Sequence, residues 1–257
     1  SVGPPPPAPP PSPSGGAAPS VFSRSPLLAQ AGASGRPPVT SRPPLDPAPE
    51  PVIANIGFDA SSQGDVGTAS SLTVPHVTSG SNRFLWVAVT TFGTPGADVT
   101  NVTYNGVALT QLAETVYGLE NNERLEVWYL VAPATGANNI VVTTASSTEI
   151  ALAATSWTGV NQVSPVGTPS TTAPDGVTSV SQNITSASSA VVLVAVGWFN
   201  QTITVGSNQT QRVLNNNGGT FESVAISSEA GAATVTMSWS WAASENPGHI
   251  AASIAAQ

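Results

Sequence analysis

Proline divides this chain into two stretches that cannot fold alike. Of its 24 prolines, 16 fall in residues 1–50, which leaves 24 − 16 = 8 for residues 51–257. Proline fixes φ and lacks an amide donor, so the first stretch cannot enter a sheet interior. It opens SVGPPPPAPPPSPSGG and contains one aromatic residue, Phe22. The reading is an extended arm of polyproline II character over 1–50 and a folded domain over 51–257. Phe22, Leu27, Leu28, Val39 and Leu45 are apolar anchors along the arm, and Arg24, Arg36 and Arg42 lie between them. An arm that cannot bury itself orders only against a partner. Phe22, Arg24, Leu27, Leu28, Arg36, Arg42 and Leu45 are therefore the candidate partner-binding residues, with a disordered spacer as the alternative.

Charge follows the same division. Residues 1–50 carry three arginines against Asp46 and Glu50, or +1, and residues 51–257 carry three arginines against twelve acids, or −9. All six basic residues are arginine, there is no cysteine, and the only histidines are His76 and His249. Without lysine there is neither a P-loop nor a Schiff base. Without cysteine there is no disulfide framework or thiolate metal site. An acidic body argues against nucleic acid as a partner. The longest strong apolar run, AVVLVAVGWF at 190–199, falls well short of the roughly 18 residues of a spanning helix, so no membrane span is expected. Residues 1–20 lack the apolar core of a signal peptide.

From residue 51 onward, short runs of Val, Ile, Thr and aromatics alternate with Gly, Asn, Ser and Pro clusters, which predicts an all-β domain. Candidate strands are 52–58, 66–74, 83–92, 99–104, 107–117, 124–131, 139–144, 149–157, 178–184, 190–199, 208–214, 221–227, 233–241 and 249–255. Asn105-Gly106 supplies the two positive-φ positions of a type I′ hairpin turn. RFLWVAVTTF (83–92) and AVVLVAVGWF are apolar on both faces, so each is expected at the centre of a sheet and covered on both sides. In ATVTMSWSW (233–241) apolar and polar residues alternate, with one face in the core and one wet. The fold class expected is an antiparallel jelly-roll-like β-sandwich behind a proline-rich arm. One large domain is preferred over two smaller sandwiches meeting near 160–177.

Candidate chemistry is thin. No G-x-S-x-G elbow accompanies the serines, and His76 and His249 read as rim residues. A glycosidase pair from Glu123, Glu126 or Glu149 needs two carboxylates facing one groove, and Glu123 and Glu126 point to opposite faces of one strand. DASSQGD (59–65) mimics the first half of a calcium loop, but Ser70 stands where a bidentate glutamate is needed, so it reads as a polar turn. The six tryptophans fall on predicted strands and read mostly as core. Trp241, beside the ENPGH loop, is the best exposed candidate for contact with a glycan.

The succession NRFLWVAV, VTNVTYNGVALTQLAE, EVWYLVAPATGANNIVVTT, ALAATSWTGVNQVSPVGT and TMSWSW resembles a jelly-roll-like β-sandwich domain of tailed-phage virion accessory proteins, which also recurs in bacterial exported proteins. The resemblance covers most of 51–257 and none of 1–50. It implies a capsid decoration, head-fibre or minor tail protein on the virion surface. Its partner would be the major capsid or tail protein, and similar proteins suggest a trimer. It carries over no functional residue. The expectation is a structural or interaction protein rather than an enzyme, without cofactor. The alternative is an extracellular carbohydrate-binding module with a proline-rich linker.

Overall fold

The structure is a computed structural model that describes residues 55–93, 98–199, 201–216 and 222–257. The anchors Phe22 to Leu45 lie outside the described residues. Among the described residues, fifteen strands and no helix follow one another: β1 (Gly57–Thr78), β2 (Phe84–Phe92), β3 (Val99–Tyr104), β4 (Val107–Ala108), β5 (Thr110–Tyr117), β6 (Glu123–Val131), β7 (Gly136–Thr158), β8 (Ser170–Thr172), β9 (Val177–Ile184), β10 (Val191–Trp198), β11 (Ile203–Val205), β12 (Thr210–Asn215), β13 (Ser223–Ala230), β14 (Val235–Glu245) and β15 (Gly248–Ile254). All pairings between these strands are antiparallel.

The strands form a curled, nearly closed seven-stranded sheet, a five-stranded sheet and a three-stranded sheet. The five-stranded order is β12-β13-β10-β15-β8, and the three-stranded order is β11-β14-β9. The curled sheet repeats both. Its strands β5-β6-β2 continue into the second half of β7 and the first half of β1, while β3 pairs with the first half of β7, which pairs with the second half of β1. Strand for strand, β1 corresponds to β8 plus β9, β2 to β10, β3 to β11, β5 to β12, β6 to β13, and β7 to β14 plus β15. The body is an internal duplication.

Register confirms the correspondence. In the first repeat Phe84 to Phe92 pair with Val131 to Glu123. In the second, Val191 to Trp198 pair with Ala230 to Ser223 in the same phase. Thr110-Gln111 precedes a β-bulge opposite β6, and Thr210-Gln211 precedes a bulge at the same place opposite β13. The turn amide of Ala132 donates to Arg83 O, and that of Gly231 donates to Ala190 O. Identical residues recur at matched positions: Thr78/Thr185, Ser79/Ser186, Ser81/Ser188, Val87/Val194, Ala88/Ala195, Val89/Val196 and Phe92/Phe199. A bulge adds one residue to one strand, so its recurrence in register is a conformational signature independent of side-chain identity.

Each repeat buries a core between its own two layers. In the first, Leu85, Val87, Val89 and Leu152 meet Val74, Val102, Tyr104 and Ile140. In the second, Val192, Val194, Val196 and Ala251 meet Val180, Ile203, Met237 and Trp239. The outer faces of the two five-strand layers then pack on each other through Trp86, Ala88, Leu125, Val127 and Trp157 from one side and Leu193, Ala195, Val224, Ile226 and Ile254 from the other. β2 and β10 are thus covered on both faces, as their unbroken apolar sequence requires. Asn215 ties the repeats further by donating to the carbonyls of Gly64 and Leu152.

Several strands depart from the sequence expectation. The end of the expected strand 52–58, from Gly57, and the segment 66–74 merge into one bulged β1, so 59–65 is strand rather than turn, while 52–54 lie outside the described residues. Segments 139–144 and 149–157 merge into β7. The short strands β8 and β11 carry too few residues to show a period. The Asn105-Gly106 turn is as expected, with φ of 51° and 77°.

Candidate functional site

The duplication brings equivalent ends of β2 and β10 together, and titratable groups gather there. Phe92 and Phe199 occupy the same position in the two repeats and are 37% and 38% exposed. Both line a groove of about 310 Å³ together with Leu119, Glu123, Glu245 and Asn246. Glu123 and Glu222 also occupy equivalent positions, each at the start of the strand that pairs with β2 or β10.

Tyr117 lies between them. Its ring lies over the register pair Gly197 and Gly248, where a β-carbon would come within 2.6 Å of its hydroxyl or 2.7 Å of its ring. Glycine at both places makes the socket. The hydroxyl donates to Glu222 Oε2 at 2.6 Å, with Glu222 fully buried and Tyr117 2% exposed. Burial pushes the Glu222 carboxyl far above the usual carboxylate range, and Glu123, Glu149 and Glu245 push it further. Glu123 is raised by burial and then by Glu245, and burial also raises Glu245. Burial and mutual repulsion thus bias the carboxyls at this end toward their protonated forms. A general acid must reach its substrate, and Glu222 is sealed behind Tyr117.

Trp241 is not at the surface. It is 7% exposed, and its indole donates to Val177 O at 2.6 Å, because the strand continues to Glu245 and keeps its apolar face inward. The other five tryptophans are buried as well. Both histidines are buried rather than on the rim. His76 Nδ1 lies 2.9 Å from Ser62 Oγ, burial lowers its pKa to about 4 against the pull of Asp59, and its Nε2 contacts no hydrogen-bond partner among the described residues. A serine–histidine pair thus exists, with no carboxylate hydrogen-bonded to its imidazole among the described residues. Sequence reasoning missed it, since the two residues lie in opposite halves of β1 and meet only because the strand bends at its bulges. His249 bonds Gln182 through Nδ1, and burial lowers its pKa to about 3.

Asp59 accepts from Ser79 N, Ser79 Oγ and Ser156 Oγ. Burial pushes its carboxyl up, but these bonds outweigh burial and hold it below the ordinary value. No group of three metal-ligating side chains is assembled among the described residues. Glu126 accepts from Val99 N, Gln111 and Trp128, and burial still raises its pKa to about 7. Glu149 acts on Glu222 rather than on Glu126. The carboxylates that do gather, Glu123 with Glu222 and Glu245, are far apart in sequence, and only the duplication explains their meeting.

Family models, characterised proteins and solved structures yield no match to this chain.

Proposed function

We propose that the chain is a structural accessory protein of a tailed-phage particle, of capsid decoration or head-fibre type. Residues 1–50 attach it to the major capsid or tail protein, and the acidic body projects outward as jelly-roll-like sandwiches. The observation that carries this reading is the division of labour along the chain. A proline-rich, net-positive arm with spaced apolar anchors precedes a net-negative all-β body whose gathered carboxyls and histidines are engaged in packing. Such an arm spreads weak contacts along a partner, and assembly in several copies, a trimer on the habit of similar proteins, multiplies them. A negatively charged, Ser/Thr/Asn-rich surface keeps the projecting body from associating indiscriminately.

The test is deletion of residues 1–45. The truncated protein is expected to stay folded and to stop co-sedimenting with particles; sedimentation equal to the full chain refutes the reading. A second reading, an extracellular carbohydrate-binding module, is favoured by one polar groove, described next.

A further inference from the structure

The two repeats meet twice along their shared core, at places related by the duplication, and the two meetings differ. In one, the residues are apolar: Leu112 at the β5 bulge, Tyr129 on β6 and Val166 pack against the shared core that contains Ile254. In the other, the equivalent bulge residue is Arg212, and Ser228 and Glu229 stand where the first repeat has Tyr129 and Leu130. The partners across the seam are Phe58 and Trp157, whose rings pack edge to face at 5.4 Å. This place is not filled. It is an open groove of about 330 Å³, near the lower end of small-molecule pockets.

Its guanidinium is held in place, and one of its carboxylate oxygens is buried without a partner. The Arg212 guanidinium lies 4.6 Å from the Phe58 ring centroid and 5.3 Å from that of Trp157, and Nε donates to Ser228 Oγ at 2.8 Å. Ring contact and tether hold the group in place, and its two terminal nitrogens, which are not buried, meet no acceptor among the described residues and are left open to the groove. Glu229 lines the same groove and forms no salt bridge with Arg212, and its Oε2 is buried without a partner. Asn208 and Thr210 complete the polar wall, and Phe58, 39% exposed, supplies an apolar edge.

We infer that this groove is a binding site for a neutral saccharide. A donor edge and an unsatisfied acceptor in one groove call for a ligand that both accepts and donates, as neighbouring sugar hydroxyls do. A simple anion would face Glu229 and the negative body, and a simple cation would face Arg212. The apolar C–H groups of a pyranose ring would cover the exposed part of Phe58. Leaving the Glu229 Oε2 buried and unpaired is unfavourable in the empty protein, which a purely structural role does not explain. The apolar twin in the first repeat is what the same fold makes of the position when packing alone is at stake. This inference does not rest on the virion reading, and its failure leaves that reading standing.

The experiment uses the full chain on an array of immobilised neutral and acidic glycans. The Arg Nε–H resonances are then followed by NMR during titration with the best neutral ligand; with six arginines the spectrum is sparse. The variants Arg212→Leu and Glu229→Leu install the residues of the first repeat, so both are expected to fold with an unchanged or higher melting temperature. Expected are retention of a neutral glycan, movement of the Arg212 resonance, and at least tenfold weaker binding by each variant. Retention of no neutral glycan, binding of acidic glycans alone, or undiminished binding by folded Arg212→Leu overturns the proposal. An amino acid that shifts Arg212 while neutral glycans do not would assign the groove to zwitterions and overturn it equally.

Discussion

The two repeats follow one path with different continuity. In the first, β1 and β7 run unbroken through both layers, 22 and 23 residues long, bent by bulges near 66–71 and by the 144–148 segment. In the second, the same path is cut into β8 and β9 and into β14 and β15, separate strands in separate sheets. One repeat therefore closes toward a barrel and the other stays an open pair of layers. What both keep is the inward alternation on β2 and β10, the bulge after Thr-Gln and the face presented to the shared core. What differs lies at edges and seams, where a side chain can change without moving a strand. Conformation and packing constrain the first set of features, and the second is free to specialise.

The comparison breaks most visibly in the shared core. Trp86 and Leu193 hold equivalent positions, and both are fully buried where the repeats meet. We predict that Trp86→Ala costs about 3–5 kcal/mol and Leu193→Ala about 2–5 kcal/mol, and that each lowers the stability of both repeats together. Chemical denaturation followed by near-UV signal and by hydrogen exchange checks this. Loosening confined to the mutated repeat would mean two independent sandwiches.

The Tyr117 socket ranks next. Gly197→Ala brings a β-carbon within 2.6 Å of the tyrosine hydroxyl and 2.8 Å of Thr90 Cγ2. Overpacking of this kind costs roughly 1–3 kcal/mol. Melting of Gly197→Ala alone and combined with Tyr117→Phe should show partial rescue. An equal loss in both backgrounds would place the clash elsewhere.

Proton binding at the same end sharpens the picture. Glu222 and Glu123 are raised by burial first, and Glu126 is raised to about 7. A raised carboxyl holds its proton more tightly in the folded than in the unfolded chain, so stability falls as pH climbs from the ordinary carboxylate range through the raised value. His76 and His249, lowered by burial, act oppositely and remove stability as pH falls below the ordinary histidine value. The three carboxyls outnumber the two imidazoles. The melting temperature is therefore expected to be higher at about pH 5.5 than at about pH 8.5. Glu222→Gln keeps an acceptor for Tyr117 and should flatten the alkaline decline. A decline of unchanged steepness in this variant would remove Glu222 from the account.

The smallest effect lies in the turns. Gly106, at φ 77° with open space around it, makes the two-residue hairpin of the first repeat, which the second replaces with the longer Gly206–Gln209 turn. Gly106→Ala should cost roughly 1 kcal/mol through backbone strain alone.

How much of this was visible in the sequence varies by feature. The unbroken apolar runs at 84–92 and 191–198 marked the two central strands, because burial on both faces demands such composition. The alternation in 233–241 placed Met237 and Trp239 inside correctly. For Trp241, proximity to a loop outweighed the alternation, and the alternation was the better guide. The duplication itself was not read, since its strongest signature is register, and residues such as Trp86 and Leu193 share a role without sharing identity. Sequence separation hides the Glu123–Glu222–Tyr117 end and the Arg212 groove for the same reason. Each is assembled by strands that only the packing of one repeat on the other brings together.

The central claim is that the repeats share one core and stand or fall as one body. Differential scanning calorimetry of the full chain tests it most directly. The account predicts a single endotherm whose calorimetric and van't Hoff enthalpies agree, with Trp86→Ala and Leu193→Ala each shifting that one transition downward. Two resolved transitions, with each substitution moving only its own, would contradict it.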